Sequence, residues 1–298
     1  MKNIVILSIC LALAGCHPAH HQDIVSEGAV PEKLSGEFAF TEGPASDAEG
    51  NVFFTDQPND RIMKWSTDGE LSIWMQPAGR ANGLCFDQTG DLWACADEQN
   101  ELWIIDKEKN VTVLFDRYGT GKLNGPNDVW VAPDGSAYFS DPFYKRPWWP
   151  RDTTQQDGQC VYFLSSKESE PVRVIDDLVQ PNGVIGTPDG KMLYVTDIKE
   201  GKTYSYAIGE QGALSNKQLF CEMGSDGMTL DERGNLYLTN AAGVTVFDAS
   251  GRQIKHIKID EPWTANVCFG GSDMKSLFIT AKAGFYRLKM NVKGVGSQ

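Results

Sequence analysis

Asn127 to Asp141 reads NDVWVAPDGSAYFSD. A polar pair opens it, an apolar run follows, Asp134-Gly135 interrupts, and a second apolar run ends on an acid. Asp-Gly is a turn former, and flanking runs rich in aromatic and β-branched residues make the stretch a β-hairpin. The same pattern recurs in EGPASDAEGNVFFTD from Glu42, NGLCFDQTGDLWACA from Asn82, NGVIGTPDGKMLYVTD from Asn182, DGMTLDERGNLYLTN from Asp226 and NVCFGGSDMKSLFIT from Asn266. Successive starts lie 40, 45, 55, 44 and 40 residues apart. A period of about 40–45 residues built from short strands predicts a propeller.

Each repeat has room for two further strands. Alternating runs such as Glu101-Leu-Trp-Ile-Ile and Thr203-Tyr-Ser-Tyr-Ala supply a third, and Val111-Thr-Val-Leu-Phe and Val172-Arg-Val-Ile supply a fourth. The sixth repeat has strands near 265–269, 277–281 and 284–290, and no fourth strand follows. Lys33 to Phe40, ahead of the first repeat, can fill that place and close the ring. The expected fold is all-β, a six-bladed β-propeller of four-stranded blades spanning 32–298, closed by an N-terminal strand.

The N-terminus reads as an address. Met1-Lys2-Asn3 precedes an apolar run from Ile4 to Leu13, about ten residues, too short for a permanent span and suited to a signal peptide. Leu13-Ala14-Gly15-Cys16 resembles a bacterial lipobox, which implies cleavage after residue 15, lipidation of Cys16 and a polar tether over 16–31. His17 follows that cysteine where an inner-membrane retention signal would have Asp. The expected location is therefore the cell envelope (outer membrane or periplasm), with membrane contact only through the lipid.

Composition removes several classes of function. The 298 residues carry 27 basic and 40 acidic side chains, net −13, and no basic stripe, which disfavours nucleic acid as a partner. Of four histidines, His17, His20 and His21 precede the body and His256 alone lies within it, in the outer-strand run Gln253 to Ile259. A His-rich zinc site is excluded, and a Ser-His-Asp triad would depend on His256. Cys85, Cys95, Cys160, Cys221 and Cys268, odd in number and without CxxC spacing, do not form a disulfide framework and read mostly as small buried hydrophobes.

In a propeller the innermost strands line a central channel, and their first residues ring one mouth. Here those are Glu42, Asn82, Asn127, Asn182, Asp226 and Asn266, all carboxylates or carboxamides. Asn-Gly and Asp-Gly pairs also make turns, so each alone has a bland explanation. Together, converging oxygens without histidine suit one hard divalent cation, with Glu42 and Asp226 neutralising its charge. Asp56, Asp141 and Asp197 end second strands at the same mouth; Asp141 and Asp197 read as supports behind the site, Asp56 as a cap. An insertion, Pro142 to Gln159, overhangs that mouth; its Phe143, Tyr144, Trp148 and Trp149 form either a wall over a ligand or a satellite cluster. Lys145, Arg146 and Arg151 read as solvated charges, with an oxyanion as the alternative partner of one.

Glu42-Gly43-Pro44, Asn124-Gly-Pro-Asn127-Asp128, Gln180-Pro-Asn182-Gly183, Tyr194-Val-Thr-Asp197 and Ser225-Asp226-Gly227-Met228 resemble the motifs of the regucalcin/gluconolactonase/luciferin-regenerating-enzyme family, over nearly all of the body. The resemblance implies one divalent metal held by Glu42, Asn182 and Asp226, with calcium first and magnesium, manganese or zinc as alternatives. It implies a lactone substrate, Asn127 as a substrate contact or a fourth metal ligand, and Asp226 as acid/base in ring opening; Asn124 and Tyr144 are further candidate substrate contacts. One departure stands out: some members carry an arginine where this chain has Gly125, which bears on sugar specificity. A phosphotriesterase or other esterase on the same site and a non-catalytic binding propeller are the competing expectations. A quinone-dependent dehydrogenase, which would want a histidine at the mouth, fits poorly.

Overall fold

The computed structural model describes residues 23–295, so the expected signal peptide and lipidation site, Cys16, lie outside the described residues. Six four-stranded antiparallel sheets follow one another along the chain. Their innermost strands are Thr41–Ser46, Ala81–Phe86, Val129–Val131, Pro181–Gly186, Met228–Leu230 and Asn266–Gly270. In the first blade the chain continues outward through Val52–Asp56, Arg61–Trp65 and Leu71–Met75. The second strands are almost wholly buried, whereas the outermost expose Leu71, Ile73, Val111, Val113 and Val172.

The sixth blade is completed as expected. Glu32–Ser35 pairs antiparallel with Gly284–Lys289, joining the two ends of the described chain. The strand is shorter than expected, and Phe38 beyond it packs edge-on against Phe54 with ring centroids 5.2 Å apart. Phe54 also stacks on Phe285 at 4.1 Å, gluing the sixth blade to the first. Each fully buried side chain of this kind contributes about 1.5–3 kcal/mol. The apolar core consists of six clusters, each shared by two neighbouring blades, so the ring has no weak joint.

Two features depart from the expected organisation. Part of the stretch expected to be a tether belongs to the body: Ile24 is buried, Ser26 N donates to Lys289 O at 3.1 Å, and Asp23 pairs with Lys255 at 2.7 Å. A small extra hairpin, Arg117–Tyr118 with Gly121–Lys122, precedes the third blade. The 55-residue spacing is the insertion Pro142 to Gln159, which separates Ala137–Asp141 from Cys160–Leu164. Cys95, Cys160, Cys221 and Cys268 are buried and unpaired. No helix among the described residues is long and apolar enough to cross a membrane.

Candidate functional site

The motifs that open each inner strand are set by close packing around the channel. A Cβ at Gly43 would lie 2.1 Å from the Asn82 carbonyl oxygen, and one at Gly183 would lie 2.9 Å from that of Asp226. The Glu-Gly and Asn-Gly pairs are therefore not turns here; the glycine admits the next blade. The third blade has Asp128 at this position instead, and its carboxylate reaches across to accept Val184 N at 3.0 Å.

The acids that end the second strands have a shared local task. Asp56 Oδ1 accepts Ala39 N at 2.9 Å, Asp141 accepts Asn124 N at 2.9 Å and Gly125 N at 2.8 Å, and Asp197 accepts Val179 N at 2.7 Å. Each carboxylate fixes the segment leading into its own blade's inner strand, and so the position of Glu42, Asn127 or Asn182. The Thr before the acid works outward in the first and fourth blades: Thr55 Oγ1 donates to Asn82 O at 3.1 Å and Thr196 Oγ1 to Ser225 O at 2.8 Å, each on the next blade.

A cavity of about 360 Å³ opens at this mouth. Glu42, Asn82, Asn127 and Asp226 line it, with Tyr144 and Arg146 from the insertion and Trp263 from the loop before the sixth blade. Asn182 joins them through its amide, whose Nδ2 donates to Asp226 Oδ1 at 2.9 Å and to Tyr144 Oη at 2.8 Å. Trp263 Nε1 donates to Asp226 Oδ2 at 2.6 Å. Asn182 Oδ1 is buried and has no hydrogen-bond partner among the described residues.

The electrostatics are those of like charges out of water. Burial, and then the neighbouring Asp226, push the Glu42 carboxyl well above the usual carboxylate range. Burial also raises Asp226, against the opposing donors Trp263 and Asn182. Asp128, below the mouth, is pushed up to about 7 by burial, and so is Asp141. Among the described residues no three His, Cys, Asp or Glu side chains cluster to hold a metal. The mouth instead offers two carboxylates and an unpartnered carboxamide oxygen, an all-oxygen set that fits a hard cation and not a soft one.

Several sequence expectations need correction. Asn266 does not reach the mouth: its Oδ1 turns back to Val267 N at 2.8 Å, so five of the six ring residues meet. Asn124 is no ligand contact; fully buried, it donates its amide to Asp141 O at 3.0 Å and Gly158 O at 2.8 Å, clasping the end of the insertion. The insertion is both wall and satellite. Tyr144 and Arg146 line the cavity, while Phe143 and Trp149 pack together and Trp149 Nε1 donates to Asp97 O at 2.8 Å. Arg146 and Arg151 are not free in solvent: Arg146 Nε is 2.6 Å from Asp97 Oδ2, and Arg151 lies over the Trp149 ring at 4.6 Å. Among the described residues Lys145 has only an exposed pair with Asp152 at 3.8 Å.

Trp263 and Asp97 were not anticipated. Trp263 sits outside the repeat pattern, in Glu261 to Thr264, so periodicity carried no signal for it. Asp97 could have been found. Asp56 and Asp197 pair with the residue before Glu42 and Asn182, whereas in the second blade Ala96 takes that register and Asp97 follows one residue later. That single step frees its carboxylate to accept Gln57 Nε2 at 3.0 Å and Arg146 Nε. His256 bonds Thr245 on the outside of the fifth blade, and no triad forms.

A closed six-bladed propeller with a carboxylate and carboxamide mouth defines the class. The chain belongs to the SMP-30/Gluconolactonase/LRE-like family, whose model matches residues 40–283. It is 24% identical to a gluconolactonase of Zymomonas mobilis over 91% of this chain and 85% of that one. A solved gluconolactonase from Xanthomonas campestris superposes with a TM-score of 0.83 at 28% identity, covering 90% of this chain and 91% of that one. A calcium-binding regucalcin from Agrobacterium tumefaciens, at 17% identity and a TM-score of 0.74 over 90% of this chain and 96% of that one, shares the fold.

Proposed function

We propose that the protein is a divalent-cation-dependent lactonase acting at the mouth formed by Glu42, Asn182 and Asp226. The buried Asn182 Oδ1, left without a partner beside two buried carboxyls, carries this reading. Calcium is the favoured cation, with magnesium, manganese or zinc as alternatives, and Glu42, Asn182 and Asp226 would hold it. A cation bound there supplies Lewis-acid polarisation of the ester carbonyl.

The chain's own residues do the rest. Asp226 accepts a proton from the attacking water and returns it to the ring oxygen as the carbon–oxygen bond breaks, leaving a hydroxy acid. Trp263 holds Asp226 Oδ2 and favours its ionised form. Tyr144, bonded to Asn182, roofs the cavity and displaces water. Asn127 lines the cavity with a side-chain amide that bonds nothing else in the described chain, and it orients the ester oxygens. The family supports a sugar-type lactone as substrate.

Proton release from a panel of sugar and simple lactones tests this, on protein lacking residues 1–16, in EDTA and after each cation is restored. Turnover that returns with a cation and is lost in Asp226→Asn is expected. Cation binding without turnover on any lactone would move the assignment to a phosphotriesterase or a binding propeller. The reading includes export and lipidation at Cys16, which loss of lipid label in Cys16→Ser would support and unchanged label would refute.

A further inference from the structure

Arg146 is held at the mouth in a way that leaves its recognition face open. Its Nε–H is taken by Asp97, which is itself buried and further fixed by Gln57. Its guanidinium lies over the rings of Tyr144 at 5.4 Å and Trp148 at 5.8 Å. No hydrogen bond to the described chain engages Nη1 or Nη2, and the side chain lines the cavity. Four N–H donors on a planar, stacked and anchored group are thus presented to whatever occupies the mouth. That is the geometry for bidentate binding of an oxyanion, and little entropy remains to be lost on binding. Lys199 lines the same cavity, with no ion-pair partner among the described residues. Gly125 packs against this anchor: a Cβ there would lie 2.8 Å from both Asp97 Oδ1 and the Trp149 ring.

We propose that the substrate is a lactone bearing an oxyanion substituent, a carboxylate or a phosphate, and that the free Nη1/Nη2 fork of Arg146, with Lys199 lining the same cavity, receives that group. The proposal rests on the lactonase reading and narrows it. Arg146 is near enough to both acids to favour their ionised forms, so it also influences the reacting centre, and the test must separate the two roles.

The experiment compares matched rings on the cation-loaded protein: 6-phosphoglucono-δ-lactone against glucono-δ-lactone, and glucaro-1,4-lactone against glucono-1,4-lactone. Wild type is expected to favour at least one anionic member by about tenfold to a hundredfold in kcat/KM, an advantage that shrinks with salt. Arg146→Met should collapse that ratio, chiefly through KM, and Arg146→Lys should restore part of it. Because Arg146→Met leaves Asp97 buried without its partner, Asp97→Asn/Arg146→Met is measured alongside. Calorimetric binding of 6-phosphogluconate against gluconate gives a second readout. Equal handling of anionic and neutral members by wild type, or equal losses on both in the variants, would overturn the proposal while leaving the lactonase standing. Failure on every lactone would instead defeat the lactonase reading, and the binding comparison alone would then decide whether the fork selects an oxyanion.

Discussion

At one end of the channel Glu42, Asn82, Asn127, Asn182 and Asp226 surround a cavity of about 360 Å³. At the other, the same strands run out through Ala45, Leu84, Val131 and Ile185 around about 100 Å³, with Val295 against them. The turns joining innermost to second strands at that end are bound by their own aspartates, as where Asp87 Oδ1 accepts Thr89 N at 2.9 Å and Asp91 N at 3.1 Å. The polar end keeps donors and acceptors in hand, while turns at the apolar end bind their own. One end is therefore organised for a ligand at some cost in buried charge, and the other for cohesion.

The largest expected contrast follows from exchanging one group at each end. Asp226→Asn should lower kcat by about 10²–10⁴-fold, the usual worth of a positioned acid/base, with the thermal midpoint kept. Leu84→Ala, a buried truncation at the far end, should cost about 2–5 kcal/mol in denaturant unfolding and leave kcat within a few fold. Activity lost in Leu84→Ala without loss of stability would break the contrast.

A pH series sharpens it. Asp97, Asp128 and Asp141 rise from 3.8 to about 6, 7 and 7 because burial favours their protonated forms. Raised carboxyls stabilise the fold below their unfolded pKa, and that stability is lost as pH rises through the folded values. Cation-free protein should therefore melt lower at pH 8 than at pH 5, by about 2–4 °C for each kcal/mol lost. Calcium should restore more at pH 8 than at pH 5, because protons compete with the cation for Glu42 and Asp226, whose carboxyls are raised by burial; at a hundred times Kd it adds about 2.7 kcal/mol. Scanning calorimetry across pH with and without calcium reads both. The smallest effect is at Trp263→Phe, which removes one donor from Asp226. It should lower kcat by about tenfold and move the acid limb of the pH–rate profile upward.

Periodicity made the ring legible, because a propeller repeats its hairpin and the hairpin is local. It located the mouth too, since Glu42, Asn182 and Asp226 open equivalent strands. It could not tell that the sixth repeat is displaced by one residue: Ala265 N donates to Thr280 O as Asn127 N does to Ser140 O, so Asn266 stands where Asp128 stands, its Oδ1 accepting the next backbone N–H as Asp128 does. The charges of the insertion were misread for a similar reason. Arg146 looks like one of several surface cations until Asp97, displaced by one residue from its repeat position, is seen to hold it. Trp263 belongs to no repeat, and only the folded chain brings it to Asp226.

The most direct test of the polar mouth is calorimetric titration of calcium into cation-free protein in two buffers of different ionisation heat. One cation per chain is predicted, with a proton released on binding because Glu42 and Asp226 cannot both stay ionised without it. Binding and proton release should both be lost in Glu42→Gln. Calcium that binds with no proton released, or binds Glu42→Gln as tightly as wild type, would contradict the account.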